Sequence, residues 1–387
     1  MYPNLYYLFK DLFGVEWPFL AVLQTFGFFV AVAFLTCAWV LSLELKRKDA
    51  EGVIPAGIIE REVGKKPTVQ DWIFNALLGF VFGYKLMGLI TSGAEVAHDP
   101  QGYLFSLKGS IVGGIALAGV MGWLRYSELK QQELPKPEMK KFRVPAYQRV
   151  GDITGLAAIG GIIGAKVFNA LETWSDFVAD PIGNLFSMSG LTFYGGLIGG
   201  AVTVIWYCRK HHIPLLHLLD TMATTMMLAY GLGRIGCQMA GDGDWGIVNT
   251  KPNPFSWLPD WMWSFKYPHN VNSEGIAIPG CVGRYCAELP QPVWPTPFYE
   301  TVICLILFFV LWMLRKRVGK PGVLFGIYLL FNGVERFLIE KIRVNTKYDL
   351  GFIHPTQAEI ISTIMMIVAL LWIWYFNSRK PKPAVTA

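Results

Sequence analysis

The sequence predicts an all-α, polytopic transmembrane bundle of about nine spans, with the N-terminus outside, the C-terminus inside and one hairpin duplicated. Composition, the length of the apolar runs and the placement of basic residues predict it. Of the 387 residues, 53% are hydrophobic and only 16% charged, whereas soluble domains carry about 25% charged residues. The deficit runs along the whole chain, so apolar surface must face lipid as well as a core. A spanning helix needs about 20 mostly apolar residues. Segments 17–42, 72–92, 108–127, 152–172, 190–208, 216–238, 299–314, 322–343 and 357–376 meet that length. A soluble core has no use for so many. The first segment is too long for the apolar stretch of a signal peptide, and little positive charge precedes it.

Basic residues in short loops set orientation. Lys46, Arg47 and Lys48 follow span one; Lys130, Lys136, Lys140, Lys141 and Arg143 follow span three. Arg209 and Lys210 follow span five, Arg315, Lys316, Arg317 and Lys320 span seven, and Arg379, Lys380 and Lys382 span nine. Alternate loops are basic and those between are poor in Lys and Arg. The net charge of +6 reflects this bias, and no nucleic-acid partner is expected, because the basic residues sit in separate loops beside helix ends.

The chain reads as one transmembrane domain over 1–387 with an internal repeat. Segment 71–126 aligns with 152–207 at a constant offset of 81. Asp71/Asp152, Gly79/Gly160, Gly83/Gly164, Lys85/Lys166, Asp99/Asp180 and Pro100/Pro181 match, and Leu104/Leu185 through Ser106/Ser187, Gly109/Gly190, Gly114/Gly195, Gly119/Gly200 and Tyr126/Tyr207 continue the series. Membrane composition yields chance Gly and Leu matches but not Asp, Lys and Asp-Pro in register. Both copies enter from the same side, so this is a parallel repeat of a helix–loop–helix hairpin. The outer loop 241–298 is too long for a plain connector. Its Trp245, Trp257, Trp261, Trp263 and Trp294 suit the headgroup zone, so a small subdomain or a lid is expected. Cys281 and Cys286 lie in this loop, where an oxidising compartment allows pairing. No metal-ligand spacing appears, and neither metal nor cofactor is expected.

Charge inside a span is costly and usually marks function. At about 1.5 Å per residue, Arg234 lies roughly 27 Å up span six and Arg336 roughly 21 Å up span eight. Lys166 and Lys85 lie at similar heights. Gln24 stands near the outer end of span one, Tyr194, Gly195 and Gly196 open span five, and Glu300 opens span seven. All converge on the outer third of the bilayer. Arg336, Glu340 and Arg343 are spaced i, i+4 and i+7, so they share one helix face. A self-contained Arg–Glu–Arg packing unit would explain that face but not Arg234 at the same height. Two guanidiniums plus lysines leave a positive surplus that wants an anion. At headgroup depth that anion is a lipid phosphate, which Arg binds through paired hydrogen bonds. Gly231, Gly233 and Gly236 around Arg234 fit either a close ligand approach or helix packing. Asp242 and Asp244 follow, to pair with an arginine or to face water.

These residues resemble a known family. Phe193-Tyr194-Gly195-Gly196-Leu197-Ile198-Gly199 resembles its HGGLIG motif. Gly233-Arg234-Ile235-Gly236, continued by Gly241 through Gly246, resembles the signature around its essential arginine. Trp294 through Glu300 resembles its HPSQLYE motif, and Arg336 through Arg343 its second arginine segment. The family is the prolipoprotein diacylglyceryl transferases. The resemblance implies transfer of a diacylglyceryl group from phosphatidylglycerol to the sulfur of a lipobox cysteine in a prolipoprotein signal peptide. It places the enzyme in a bacterial inner membrane with its active site toward the periplasm. It implies that Arg234 and Arg336 hold the lipid phosphate, that Glu340 and Arg343 fix Arg336, and that Tyr194 stands beside the reacting centre. Lys166, Gly195, Gly196 and Gly236 would complete the lipid site, with Gln24, Asp242, Asp244, Glu300 and His354 as further candidates.

The nucleophile would be the substrate's own thiolate, with an ordinary thiol pKa near 8.5, so no cysteine of this chain is required. This chain departs from the family pattern where histidines are usual. Tyr194, Trp294 and Gln24-Thr25-Phe26 stand at those places, Pro297 replaces a glutamine, Cys237 an asparagine and Lys166 an arginine. The general base is therefore expected to be Tyr194, with His354 the alternative. Hairpin 71–126 is extra to the family plan and is expected to be structural. The competing functions are a catalytically diverged lipid- or lipoprotein-binding relative, and a transporter. A transporter site would lie near the midplane, below the level of these residues.

Overall fold

The structure, a computed structural model, describes residues 1–379 apart from 55, 65, 67, 92–101, 104, 105, 188, 189, 191, 350, 352 and 353. Asp99, Pro100, Leu104 and Phe105 of the first hairpin, and Lys380 and Lys382 at the C-terminus, lie outside the described residues. Helix α1 (Leu5–Phe13) and a 3-10 turn (Pro18–Val22) precede the long helix α2 (Thr25–Ala50). Strand β1 (Gly57–Val63), α3 (Val69–Thr91), α4 (Ile111–Gln131) and β2 (Glu138–Val144) follow. Then come α5 (Val150–Glu172), two short helices α6 (Trp174–Ala179) and α7 (Pro181–Phe186), and α8 (Phe193–Lys210). Helix α9 (Leu215–Ala240) leads into the long loop with strands β3 (Ile276–Ala277) and β4 (Ala287–Glu288). Helices α10 (Thr296–Leu314), α11 (Val323–Glu340) and α12 (Gln357–Ser378) complete the chain.

Every expected span falls on a helix of 18 or more residues. By length and composition, six of these can cross a membrane: α2, α3, α5 with the turn before it, α9, α10 and α12. The chain is thus a polytopic helical membrane protein. Glycine, tyrosine and basic ends dilute α4 and α8, and α11 carries Glu335, Arg336 and Glu340 within its 18 residues. The first long helix, α2, runs 25–50 instead of the expected 17–42. Pro18 opens the separate 3-10 turn. The far end of α2 is prolonged because Glu44 pairs with Arg47 (2.8 Å) and with Arg315 of α10 (2.5 Å), beside the fully buried Leu45.

Helix α9 is the hub. It packs against α2, α10 and α11, and α12 covers α11. Its Leu218, Ala223 and Met227 are inaccessible to solvent. The Asp220 carboxylate accepts from the backbone amides of Gly322 (2.8 Å) and Phe325 (2.9 Å), tying the start of α11 to α9. A carboxylate on the unsatisfied amides of a helix start is favourable.

Two hairpins are present, α3 on α4 and α5 on α8, and the second of them packs against α2 and α9. Their helices meet at glycines. A methyl group on Gly83 would lie 2.2 Å from the Gly113 carbonyl, and one on Gly164 2.2 Å from the Gly195 carbonyl. Lys85 donates to the Tyr103 carbonyl (2.8 Å) and Lys166 to that of Asn184 (3.0 Å), which keeps the offset of 81. Beyond Ser187 the register slips. Ser110 donates its amide to Tyr84 and Thr192 to Ala165, so the second helices correspond at 82. At that register Val112 corresponds to Tyr194. The gap-free alignment hid one extra residue between Ser187 and Thr192, because Gly–Gly pairs tolerate either register. The antiparallel ribbon β1/β2, with Gly57 opposite Val144 and Val63 opposite Glu138, flanks α3/α4 at its other end.

Loop 241–295 has a core of its own, formed by Trp245, Tyr267, Leu289 and Val293. Trp245, expected among headgroups, is instead buried against Tyr267 with ring centroids 5.1 Å apart. Trp257 stays 77% exposed. Cys281 and Cys286 form a disulfide.

Candidate active site

The candidate site forms where α9, α10 and α11 meet the folded loop. Helix α9 ends at Gly241, whose φ of +64° turns the chain out of the helix. Left-handed backbone costs glycine nothing. Five residues on, Gly246 lies so close to the end of α11 that a methyl group there would stand 2.4 Å from the Ile342 carbonyl. Ile247 donates its amide to that carbonyl (2.8 Å), and the Thr296 hydroxyl donates to the Asp244 carbonyl (2.6 Å). These contacts hold Asp244 against the helix ends.

Asp244 bridges two arginines. One carboxylate oxygen pairs with Arg234 and the other accepts from Arg343 Nη2 at 2.5 Å. Glu300, fully inaccessible near the start of α10, joins three: Arg234 Nε at 3.0 Å, Arg336 Nη1 at 3.4 Å and Arg343 Nη1 at 3.7 Å. The Tyr230 hydroxyl, one turn below Arg234, donates to Glu300 Oε1 at 3.1 Å. Arg336 Nη2 lies 3.0 Å from Glu340 Oε2, while Asn345 donates to the other oxygen at 2.5 Å.

The electrostatics differ from the expectation in one respect. Three guanidiniums face three carboxylates, Asp244, Glu300 and Glu340, so the cluster is charge-balanced rather than positive. Among the described residues the Lys166 ammonium is directed instead to its own hairpin, to the Asn184 carbonyl and Ser187 Oγ (2.9 Å). What remains is a surplus of donors. Each guanidinium carries five N–H groups, and among the described residues Arg343 Nε and Nη1 are buried without a hydrogen-bonded partner. Burial pushes the Asp244 carboxyl up, but Arg234 and Arg343 outweigh it and hold that group below the ordinary carboxylate value. Burial, and the charge of Asp244 beside it, push Asp242 up.

The structure thus brings together Arg234, Arg336, Arg343, Glu340, Glu300 and Asp244, with Asp242 adjacent. Tyr194 opens α8, is 41% exposed and forms neither a hydrogen bond nor an ion pair with the cluster among the described residues. His354 lies 3.4 Å from Asp349 on an exposed turn. Gln24 is exposed at the start of α2. Gly195 and Gly196 face Gly164, Gly161 and Ala165 of α5, and Gly236 faces Phe26 and Phe29 of α2, which is helix packing. Tyr230 and Glu335 were missed. Glu335, a third charge beside Arg336 inside a span, was legible by the criterion that singled out Arg336.

Residues 114–375 match the family model described as prolipoprotein diacylglyceryl transferase. A Leptospira interrogans protein named phosphatidylglycerol–prolipoprotein diacylglyceryl transferase is 26% identical over 267 residues, covering 63% of this chain and 75% of its own. Proteins of the same name from Xylella fastidiosa (27% over 244 residues, 59% of this chain and 78% of its own) and Aeromonas hydrophila (29% over 235 residues, 59% and 75%) are similar to it. The arginine cluster on α9 and α11, the glutamate opening α10 and a family match over most of the length agree: this chain belongs to the prolipoprotein diacylglyceryl transferase family.

Proposed function

We propose that this protein is a transferase that moves the diacylglyceryl group of phosphatidylglycerol onto the cysteine thiol of a prolipoprotein, the step that begins lipoprotein maturation. The single observation that carries the reading is Glu300 holding Arg234, Arg336 and Arg343 within 3.7 Å of one carboxyl. Three guanidiniums so collected carry more N–H donors than the shared carboxylates take up, and can grip a phosphodiester through paired donors.

In the reaction the substrate thiolate attacks the glycerol carbon that bears the phosphate. A C–S bond forms, the C–O bond breaks, and glycerol phosphate leaves with the electron pair. Arg234 and Arg336 hold the phosphate, and charge developing on the leaving oxygen strengthens those bonds in the transition state. Glu340 and Arg343 fix Arg336 in the direction the phosphate needs. The thiol gives its proton to a base, the role proposed for Tyr194, with His354 the alternative. The nine long helices all span an inner membrane, with the cluster at the periplasmic face and the basic loops inside.

The test is complementation of a strain depleted of its own transferase, scored by prolipoprotein accumulation. The wild-type chain is expected to restore thioether formation, and Arg234→Ala or Arg336→Ala to abolish it in protein that still folds in membranes. Unchanged transfer in either variant overturns the assignment. Full transfer in Tyr194→Phe moves the base to His354. Because neither residue touches the cluster, a diverged lipid-binding relative is the second reading, and a folded wild-type chain that binds lipid without complementing would establish it.

A further inference from the structure

The duplication presents one face twice, in two different settings. First helices correspond at 81 and second helices at 82, so Trp72 matches Ile153, Ala76 matches Ala157, Gly122 matches Val204 and Tyr126 matches Cys208. In hairpin α5/α8 this face is covered. Ile153 and Cys208 are 1% exposed, and with Val204 they share a core with Leu41 and Leu45 of α2. In hairpin α3/α4 the same face is open. Helices α3 and α4 pack on each other, and among the described residues no other helix lies closely against them. A groove of about 340 Å³ is left there. The small residues Ala76, Ala118 and Gly122 line it beside Trp72, Trp123 and Tyr126. Helix α3 also lies wholly before residue 114, where the family match begins.

Helix α2 shows what such a face receives: one apolar helix, with Lys46, Arg47 and Lys48 directly after its buried Leu45. Small residues let a second helix come close within a membrane. The groove lies at the end of its hairpin that carries the β1/β2 ribbon: Trp72 stands in the first turn of α3, and Tyr126 in the last two turns of α4. From Ala118 to Tyr126 it runs about 12 Å, short of the roughly 30 Å of a full span. That length suits the apolar stretch of a signal peptide, about 7–15 residues following a positively charged start, which as a helix is about 10–22 Å long.

We propose that this groove docks the signal helix of the prolipoprotein, which lies across α3 and α4 as α2 lies across α5 and α8. The basic start of the signal peptide then falls at the ribbon end of the hairpin, as Lys46, Arg47 and Lys48 fall at the end of α2. A helix of about 18 residues from that start to the cysteine rises about 27 Å, close to the rise of α9 from Leu215 to Arg234.

The proposal rests on the proposed transfer reaction, and the two fail separately. Transfer to a short peptide with a lipobox but no apolar stretch tests the reaction, and its absence in the wild-type full chain removes that reading. Cross-linking reads the groove without turnover. With Trp123 replaced by photoreactive p-benzoylphenylalanine in membranes, the expected adduct is with prolipoprotein, and excess signal peptide should abolish it. No adduct, or an adduct only with lipid or with a second copy of this chain, overturns the proposal. In the active enzyme, Gly119→Phe projects a ring into the groove from a position where an added methyl group meets nothing within 4 Å. It is expected to raise the KM for full prolipoprotein, relative to that for the short peptide, at least about fivefold, the low end of an overpacking cost. Trp123→Ala removes a wall instead of adding bulk, should raise the same ratio, and carries the test if Gly119→Phe does not fold. An unchanged ratio in either folded variant overturns the proposal.

Discussion

Replacing Glu300 by glutamine removes one charge and almost no volume from the centre of the cluster. The side chain is inaccessible to solvent and lies 3.0, 3.4 and 3.7 Å from three guanidiniums. A unit pair at about 4 Å is worth about 4 kcal/mol at an effective dielectric of about 20. Three such contacts do not add, because the carboxylate also costs desolvation and the arginines repel one another. The applicable figure is the cost of stripping a buried charge from its partners, about 3–5 kcal/mol. Glu300→Gln leaves three guanidiniums facing two carboxylates. It is expected to lower the melting temperature of the detergent-purified protein by several degrees. Screening reaches buried pairs weakly, so raising salt from about 0.1 to 1 M should barely change the deficit. Thermal unfolding followed by tryptophan fluorescence measures both. A melting temperature within about one degree of wild type would refute the idea that Glu300 organises the arginines, and a deficit that salt abolishes would show the site to be water-filled.

Asp244→Asn should cost about 1–3 kcal/mol, the scale for a bond to a charged group. Since Arg234 and Arg343 hold this carboxyl below its ordinary value, its stabilising effect is present at neutral pH and lost only as pH falls through that lowered value. The difference in melting temperature between wild type and Asp244→Asn should therefore stay constant from about pH 8 to 5 and shrink below about pH 4; a difference already fading between 7 and 5 would contradict this. Gly164→Ala puts a methyl group 2.2 Å from the Gly195 carbonyl and should destabilise by about 1–3 kcal/mol. Gly119→Ala, where nothing lies within 4 Å of the added methyl, should stay within about 0.5 kcal/mol; equal melting temperatures would show that the α5/α8 contact is not close. Arg336→Lys keeps the charge but loses the planar fork, and should cut transfer at least about tenfold with little change in stability.

The helices were legible in the sequence because crossing hydrocarbon demands long apolar segments whatever their neighbours, and each expected span lies on a helix. Arg234 and Arg336 stood out for the same reason: charge in such a segment needs an explanation. Glu340 was legible as the partner of Arg336 one turn away on the same helix, but the carboxylates shared between helices were not. Glu300 reads as one polar residue at a helix start and Asp244 as one of two aspartates in a turn. Only the meeting of α9, α10 and α11, with Gly246 pressed against the end of α11, makes those two carboxylates the shared anions of three arginines. The balance of charge was hidden likewise, since Lys166 matches the cluster in height but spends its ammonium on the loop of its own hairpin. Sequence by itself determined which segments are helical and which charges are out of place, because both follow from local composition and the cost of burial. Tertiary structure alone decided which charges neutralise one another and which donors stay open, because ion pairing depends on distances of a few ångströms between residues far apart in the chain.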